Sequence, residues 1–480
     1  MAEEIIEETA GEQTAATLPK ARAEKRKRVV SGMRPTGPLH IGHFFGAISN
    51  WLKLQEKYDC FFFVADWHAL TTHYADTSQV AENTLQVAMD WLSTGIDPAK
   101  ATVFIQSSVP EHAELHLLLS MITPLGWLER VPTYKEQIEN LRDKDLGTYG
   151  FLGYPLLQTA DIVIYDADFV PVGEDQVPHV ELSREVVRRF NATFESIEWT
   201  GSLRSEKAAR RLFAALKHVY PGAFEKIQIL LLDGVGEFDL AILRKNVQTL
   251  LNRLPIEERM SFLANENVDL ERVLFEPGHL LTETPRLPGT DGRRMAKSYG
   301  NGIWLKDSVD EIRAKAKNMM TDPARVRRTD PGNPDICPVF SYHKLFSNAA
   351  LIEQVNHDCR SAEIGCVDCK GKMADGLIRW IEPVQARRHE FECNPRLVWD
   401  ILDAGSRSAR KTASTTMRRV RKAVFHWDEA RKKDGAAGPA IQSAVISPAS
   451  SAAPALNSGA AAPTSSAAPL SPTPVQSEEK

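Results

Sequence analysis

Four groups of side chains in this sequence have the types and spacing for chemistry. The first is His40 and His43, in the run Gly37-Pro38-Leu39-His40-Ile41-Gly42-His43. Three residues apart on a starting helix, the two imidazoles share a face and can both reach a phosphate. A glycine beside them lets backbone approach a nucleotide base or phosphate closely. Taken alone, His-x-x-His favours the bland reading of an ordinary capped helix start. The second group is Arg294-Met295-Ala296-Lys297-Ser298, preceded by Pro288-Gly289-Thr290-Asp291-Gly292. It reads as a mobile, Gly-rich, basic loop whose two cations can neutralise a triphosphate as its bond breaks. A charged loop by itself is usually solvated surface. The third is Asp161, among Leu157, Ile162 and Val163 in a helical pattern. A buried carboxylate there is costly unless paired; the bland reading is an aspartate on the helix surface. The fourth is Cys337, Cys359, Cys366 and Cys369, separated by 21, 6 and 2 residues. This spacing matches four-thiolate sites for zinc or for an iron–sulfur cluster, with unligated thiols the remaining alternative. Cys60 and Cys393 read as packing or unpaired thiols.

Length and composition bound the scaffold that must hold these groups. At roughly 150 residues per domain, 480 residues imply about three domains. Apolar residues at 43% and charged residues at 25% are ordinary globular usage, which excludes a collagen, a coiled-coil rod and a wholly disordered chain. The formal net charge is −5, so any nucleic-acid surface must be local. No apolar run is long enough for a transmembrane helix. The Glu-rich start (Glu3, Glu4, Glu7, Glu8, Glu12) has neither the apolar core of a signal peptide nor the bias of a transit peptide. The expected compartment is the cytoplasm. Six cysteines are too sparse for a disulfide framework.

Residues 1–27 are expected to be a disordered leader, and the Ala/Pro/Ser-rich residues 428–480 a disordered tail. Between them, short apolar runs alternate with helical stripes. Val29-Val30 is a strand ending in Ser31-Gly32, and Phe61 to Ala65, Thr102 to Ile105 and Phe169 to Val172 are further strands. Ser78 opens a helix with Val80, Leu85, Ala88 and Met89 on one side, and Gly95 stops it. This alternation indicates an α/β fold with a parallel sheet. From about 192 to 280 the pattern turns helical and lacks strand signals: Leu212, Leu216 and Val219 form one stripe, and Leu243, Val247, Leu250, Leu251 and Leu254 another. From about Lys306 to Phe425 it is again mostly helical, with a basic run at Arg418-Arg419-Val420-Arg421-Lys422.

In this order and separation, the 37–43 and 288–298 motifs resemble the HIGH and KMSKS signatures of class I aminoacyl-tRNA synthetases. A third segment narrows the resemblance. Gly153-Tyr154-Pro155-Leu156-Leu157-Gln158-Thr159-Ala160-Asp161-Ile162, then Val170-Pro171-Val172-Gly173-Glu174-Asp175-Gln176, His179-Val180-Glu181-Leu182-Ser183-Arg184 and Arg189-Phe190-Asn191, resemble the tryptophanyl-tRNA synthetase family in its bacterial form. The likeness runs from about Val29 to Asn191 and from about Leu287 to Val424. It implies a Rossmann-like catalytic, nucleotide-binding domain over 28–305 with a helical insertion at about 192–280. It further implies an α-helical tRNA-binding, anticodon-recognition domain over 306–427 carrying the four-cysteine site. The implied activity is ATP-dependent conversion of L-tryptophan to tryptophanyl-adenylate, with Mg²⁺ on the leaving pyrophosphate, and transfer to tRNA(Trp) by a homodimer without membrane attachment.

The resemblance also assigns residues. Arg34, Pro35, Thr36, Gly42, His43, Gly173, Glu174, Asp175 and, more loosely, Leu287 face ATP, together with Arg294, Met295, Ala296, Lys297 and Ser298. His40, His43 and Lys297 stabilise the pentavalent phosphate. Asp161 accepts the indole N–H, a single donor that suits a lone carboxylate. Tyr154 and Gln176 hold the ammonium group, and Gln158 and His68 line the pocket. Some family members resemble the cysteine pattern closely and carry a 4Fe-4S cluster, which puts iron–sulfur ahead of zinc. Three departures stand out: Arg294 replaces a lysine and changes geometry while keeping charge, Ala296 replaces a serine, and Gln158 stands where many members have methionine. Val30 lies where the tyrosine-specific relatives usually have a tyrosine, which argues for tryptophan over tyrosine. Tyrosine activation, a nucleotidyltransferase sharing the HIGH motif, and a catalytically silent RNA-binding paralogue are the alternatives.

Overall fold

Five short runs become the strands of one parallel sheet in the computed structural model of this chain: β1 (Arg28–Met33), β2 (Asp59–Val64), β3 (Ala101–Ile105), β4 (Phe169–Val172) and β5 (Gly278–Leu281). Residues 26–131, 147–199, 201–221, 240–268, 270, 272–281 and 287–427 are described. The expected tail and all but the last two residues of the expected leader lie outside them. The strand order is β3-β2-β1-β4-β5, and each neighbouring pair is parallel. Both faces of the central strands are covered, so Val29, Val30, Phe61, Phe62 and Val64 are all buried. That is why their sequence is a continuous apolar run and not an alternating one.

The fifth strand corrects the expectation that 192–280 lacks strands. β5 closes that segment and pairs with β4 from Phe169↔Gly278 to Val172↔Leu281. It is four residues long and only half-buried, so it leaves no apolar signature. Gly278 fits there because a Cβ would lie 3.1 Å from the Phe169 ring.

Helix α1 (41–54) leaves the loop after β1, and α2 (Asp66–His73) follows β2. Helix α3 (Val80–Thr94) ends as its sequence foretells: Gly95 takes φ 110, a left-handed cap that a glycine adopts without strain. Helices α4 (Glu111–Ser120), α5 (Tyr154–Val163) and α6 (Val177–Phe194) complete the first half. Helices α7 (Glu206–Val219), α8 (Leu240–Arg253) and α9 (Ile256–Asn265) then gather Leu212, Leu216, Val247, Leu250 and Phe262 into a small core of their own. Val219, expected on the α7 stripe, is 53% exposed at the helix end.

The last segment consists of α10 (Val309–Asn318), α11 (Pro338–Phe346), α12 (Ala349–Arg360), α13 (Cys366–Cys393) and α14 (Pro395–Phe425). Residues 305 and 306 do not mark a packing boundary. On one face of the sheet, Val29, Phe62 and Val64 share a core with Trp91, Phe340, Leu377, Ile381 and Leu402. On the other, Val30, Phe61 and Phe104 share one with Leu115, Ile162, Val187, Ala409 and Met417. The described residues up to His426 accordingly form one compact unit. An amphipathic helix must bury its stripe somewhere: α14 packs on β3, while α13 packs on α3, α10 and α11.

The closest approach is at Gly405 of α14, where a Cβ would overlap the Val103 carbonyl oxygen of β3. Backbone cannot swing aside, so Gly405→Ala is expected to lower stability by roughly 1–3 kcal/mol, the usual range for overpacking. Thermal unfolding measures it; an unchanged Tm would mean that α14 does not press on the strand.

Candidate active site

The sheet order puts β1 between β2 and β4, so the chain departs to opposite sides of β1. A parallel sheet offers a ligand crevice beyond the carboxyl ends of its strands at such a point. Two adjoining clefts open there. Val30, Gly32, Phe63, Gln158, Asp161 and Gly173 line the first. Arg34, His68, Tyr154, Gln158, Asp161, Gln176 and His179 line the second. All five residues expected around an indole and its ammonium group therefore meet at one place.

Asp161, on α5, is 1% exposed. Burial by itself would raise its carboxyl, but the ring of His112, then His68, outweighs burial and brings it down to about 2. His112 Nδ1 lies 2.5 Å from Oδ1 and His68 Nε2 lies 2.8 Å from Oδ2. The Gln106 amide donates to both oxygens at 2.8 Å. A carboxylate has about four lone-pair sites, and all four are engaged. His112 is itself oriented by Tyr165, whose hydroxyl lies 2.6 Å from Nε2. Gln106 and His112 carry no motif spacing; the cost of burying Asp161 is the only signal in the sequence that such partners must exist.

Gln158 makes the pocket polar in a defined way. Its Oε1 accepts from His179 Nδ1 at 2.8 Å, and the Tyr154 hydroxyl lies 3.4 Å from His179 Nε2. Burial lowers His179 to about 4, with Asp175 opposing, so the ring is neutral at pH 7.

The two signature motifs meet in a second cluster. Ile41 N–H donates to the Ile303 carbonyl at 3.0 Å, and Leu305 N–H donates to the Leu39 carbonyl at 2.9 Å. His40 and Trp304 form an antiparallel bridge. The His40 and His43 rings lie 3.7 Å apart, and His40 N–H donates to His43 Nδ1 at 3.2 Å. Lys297 donates its ammonium to the Gly37 carbonyl. Gly37 has φ 114, which explains the glycine. Burial lowers Lys297 to about 8, with Asp90 opposing.

The 288–301 loop is a tight hairpin held from within. Buried Asn301 donates to Asp291 Oδ1 at 2.8 Å and to the Arg294 carbonyl at 3.1 Å, and accepts from Ala296 N–H at 2.9 Å. Its side chain occupies the space where a Gly289 Cβ would sit. Tyr342 donates to the Pro288 carbonyl at 2.7 Å. Asn301 lies three residues past the basic run, and no spacing in the sequence marks it out.

Some expected residues stand apart. Leu287, assigned more loosely to the nucleotide site, is buried in the core and lines neither cleft. Glu174 and Asp175 lie exposed on the turn after Gly173. Pro35 is buried, Thr36 N–H donates to the Arg34 carbonyl at 2.9 Å, and Arg294 is exposed. Met295 is buried against Gly42. The Ser298 side chain is outside what is described.

The four late cysteines converge. Cys337 caps α11, Cys359 lies in the last turn of α12, and Cys366 and Cys369 lie in the first turn of α13. All six cysteines are free thiols. Burial pushes Cys369 up to about 12, reinforced by Cys337, Cys359 and Cys366. The Arg325 guanidinium lies 3.6 Å from Cys359 Sγ, and His343 Nε2 lies 3.5 Å from Cys369 Sγ.

The chain matches the family described as tRNA synthetases class I (W and Y) over residues 22–204 and 262–381. It is 49% identical over 409 residues to a tryptophan–tRNA ligase of Ralstonia nicotianae, covering 83% of this chain and 98% of that protein. It is 43% identical over 399 residues to one of Thermotoga maritima, with shares of 83% and 98%. A tryptophanyl-tRNA synthetase structure from Campylobacter jejuni, complexed with ADP and tryptophan, superposes with a TM-score of 0.61 at 26% identity, covering 82% of this chain and 98% of that one.

The buried histidines make stability depend on pH. Burial and Lys297 lower His40 to about 4; burial, His40 and Lys297 lower His43 to about 2. An unfolded histidine takes up its proton near pH 6.5. Between about 6.5 and 4 the unfolded chain therefore binds more protons, and stability is lost as pH falls through that window. His43→Gln is expected to flatten the decline of Tm across it; an unaltered slope would refute the assignment.

Proposed function

We infer the activity from one premise: the chain belongs to the class I tRNA synthetases of the W and Y type. It is a tryptophan–tRNA ligase, which activates L-tryptophan with ATP and transfers it to tRNA(Trp). The observation that carries tryptophan over tyrosine is the cleft itself. Its floor offers one carboxylate, Asp161, among Val30, Phe63 and Ile162. An indole brings one donor and no acceptor, which this lining suits. His68 is the Asp161 partner that lines the adjoining cleft, so the indole N–H takes its place at Oδ2.

In the first step the tryptophan carboxylate attacks the α-phosphorus of ATP in line and pyrophosphate leaves. In the second, the terminal ribose hydroxyl of the tRNA attacks the adenylate's carbonyl carbon, the acyl–phosphate bond breaks and AMP leaves. Orientation and charge stabilisation dominate such a reaction. His40 and His43, neutral and packed together, are N–H donors to phosphate oxygens, and Lys297 is the cation that meets charge developing in the transition state. Arg34, at the cleft, adds a second cation, while Tyr154 and Gln176 hold the ammonium group. His40, His43, Lys297 and Arg34 are donors. This set fits phosphate oxygens, so Mg²⁺ would arrive on the phosphates and neutralise the leaving pyrophosphate.

The cysteine site fits a thiolate-bound metal. Four sulfurs from three helices converge, and Arg325 and His343 stand ready to donate to them, as an anionic centre needs. Among the described residues, no three of these sulfurs lie within 4.8 Å of one another. Soft thiolates suit both zinc and an iron–sulfur cluster, and the resemblance of the cysteine spacing puts iron–sulfur first. The bound group would supply a cross-link among α11, α12 and α13.

The 306–427 helices serve anticodon recognition, and α7–α9 are a structural elaboration. The enzyme works in the cytoplasm; no described helix is long and apolar enough to cross a membrane. It acts as a homodimer, and exposed Leu117, Met121 and Leu125 offer an apolar face for the second copy.

Pyrophosphate exchange measured with tryptophan and with tyrosine tests the function: only tryptophan should support it, and exchange with tyrosine alone would overturn the reading. Asp161→Ala should raise the tryptophan KM roughly ten- to a hundredfold, the equivalent of a lost hydrogen bond to a charged group of about 1.5–3 kcal/mol. Its ATP KM should hold. Lys297→Ala should instead lower kcat with the tryptophan KM nearly constant.

For the cysteine site, anaerobically purified protein should be brown, with iron and acid-labile sulfide near four per chain. Colourless protein with about one zinc per chain would make it a structural zinc site. Absence of both metals would refute the ligand reading.

A further inference from the structure

The 37–41 loop carries the histidine signature, and its polar backbone groups are held at four points. Three anchors come from the segment that also bears the basic loop: Lys297 on the Gly37 carbonyl, Leu305 on the Leu39 carbonyl, and Ile303 on the Ile41 amide. The fourth does not. Leu39 N–H donates to Asp90 Oδ2 at 2.8 Å, from the middle of α3.

Asp90 is 0% exposed. Its other oxygen accepts from Arg388 of α13, which is 2% exposed. Arg388 also donates to Gln86, one turn before Asp90, and to Glu392 at 3.0 Å. The neighbouring residue, Arg387, donates to the Ser93 carbonyl at 2.6 Å. Around the pair the interior is apolar, with Leu39, Val87, Trp91 and Ile381 in one core.

A buried ion pair is weak evidence for stability, because removing two charges from water costs about as much as their attraction returns. Leucine and methionine would pack in such surroundings. What an apolar pair cannot do is accept the Leu39 N–H, a buried donor that needs a partner. The Asp90 charge also favours the ionised form of Lys297.

We infer that Asp90 and Arg388 are a positioning pair: they fix the 37–41 loop, and with it His40 and the carbonyl that receives Lys297, from the distant helix α13. Neither touches substrate. Arg388 orients the carboxylate, the carboxylate holds the Leu39 amide, and the amide sets the loop against the nucleotide. Displacing catalytic groups by an ångström or so is enough to lose rate without losing the fold. The inference rests on the reading of the site as one for tryptophan activation.

The test compares two full-length double variants with wild type in tryptophan-dependent pyrophosphate exchange and in thermal unfolding. Asp90→Leu with Arg388→Met removes the acceptor. It should keep Tm within a few degrees and tryptophan KM near wild type, while kcat falls at least about tenfold. Asp90→Asn with Arg388→Gln keeps a carbonyl oxygen for the Leu39 amide and lets the two amides pair. It should restore most of kcat. A folded Leu/Met variant with wild-type kcat would overturn the proposal, as would equal losses in both variants. If the Leu/Met variant does not fold, Asp90→Ser, too short to reach the amide, is read against Asp90→Asn; equal kcat overturns the proposal. Wild-type exchange is the control that separates the two levels. No exchange in wild type refutes the tryptophan reading, whereas full exchange in the Leu/Met variant refutes only the role of the pair.

Discussion

Two backbone hydrogen bonds, Ile41 to Ile303 and Leu305 to Leu39, hold together what the site needs. A loop leaving the end of a buried strand has amides and carbonyls with no ladder to join, and buried backbone groups must be paired. Residues 303–305 supply that pairing from more than 260 positions along the chain. The basic loop arrives with them, so the Lys297 ammonium reaches Gly37 because the backbone beside it is already fixed. Asn301 then closes the hairpin from inside. This arrangement also explains how helices α7 to α9 can lie in the chain between α6 and β5. They pack chiefly on one another, and the two ends of the catalytic apparatus meet by contacts that do not involve them.

The second cluster rests on the opposite strategy. Asp161 is a charge in an apolar interior, sustained because Gln106, His68 and His112 fill its acceptor sites. Such a centre is stiff: a ligand that wants one acceptor must replace a partner already there. His68 is at the rim, whereas His112 is locked by Tyr165. Recognition of a single N–H is then an exchange of one donor for another, and an apolar ring without that donor would leave the carboxylate short by one bond.

Much of this is legible in the sequence because it follows from local constraints. Phe61 to Ala65 reads as a buried strand since both faces of that strand are covered. Gly95 reads as a stop since no other residue takes its φ so easily. The signature histidines, Lys297 and Asp161 are legible through the order and spacing of their motifs. The rest depends on contacts that no local pattern encodes. β5 is short and half-exposed, so its pairing and not its composition makes it a strand. Arg388 lies 298 residues from Asp90, and nothing near either residue announces the other. The stripes of α13 and α14 foretell that they must pack, yet not that α13 packs on α3 and α14 on β3, which is why the pattern alone suggests a boundary near 305.

The seat of α14 on β3 has a further consequence. β3 is the outer strand of the sheet, and its free side presents backbone groups that another chain could pair with. Helix α14 lies along that side, Gly405 against the Val103 carbonyl and the Ser406 hydroxyl accepting from Ile105 N–H at 3.4 Å. A side chain at 405 would hold the helix off the strand, so the glycine is what allows the cover to fit. Helix α14 thereby works as an edge guard. Loss of it by truncation or proteolysis would turn the outermost strand into a template for intermolecular β-pairing, and the damage would register as aggregation before it registered as lost catalysis.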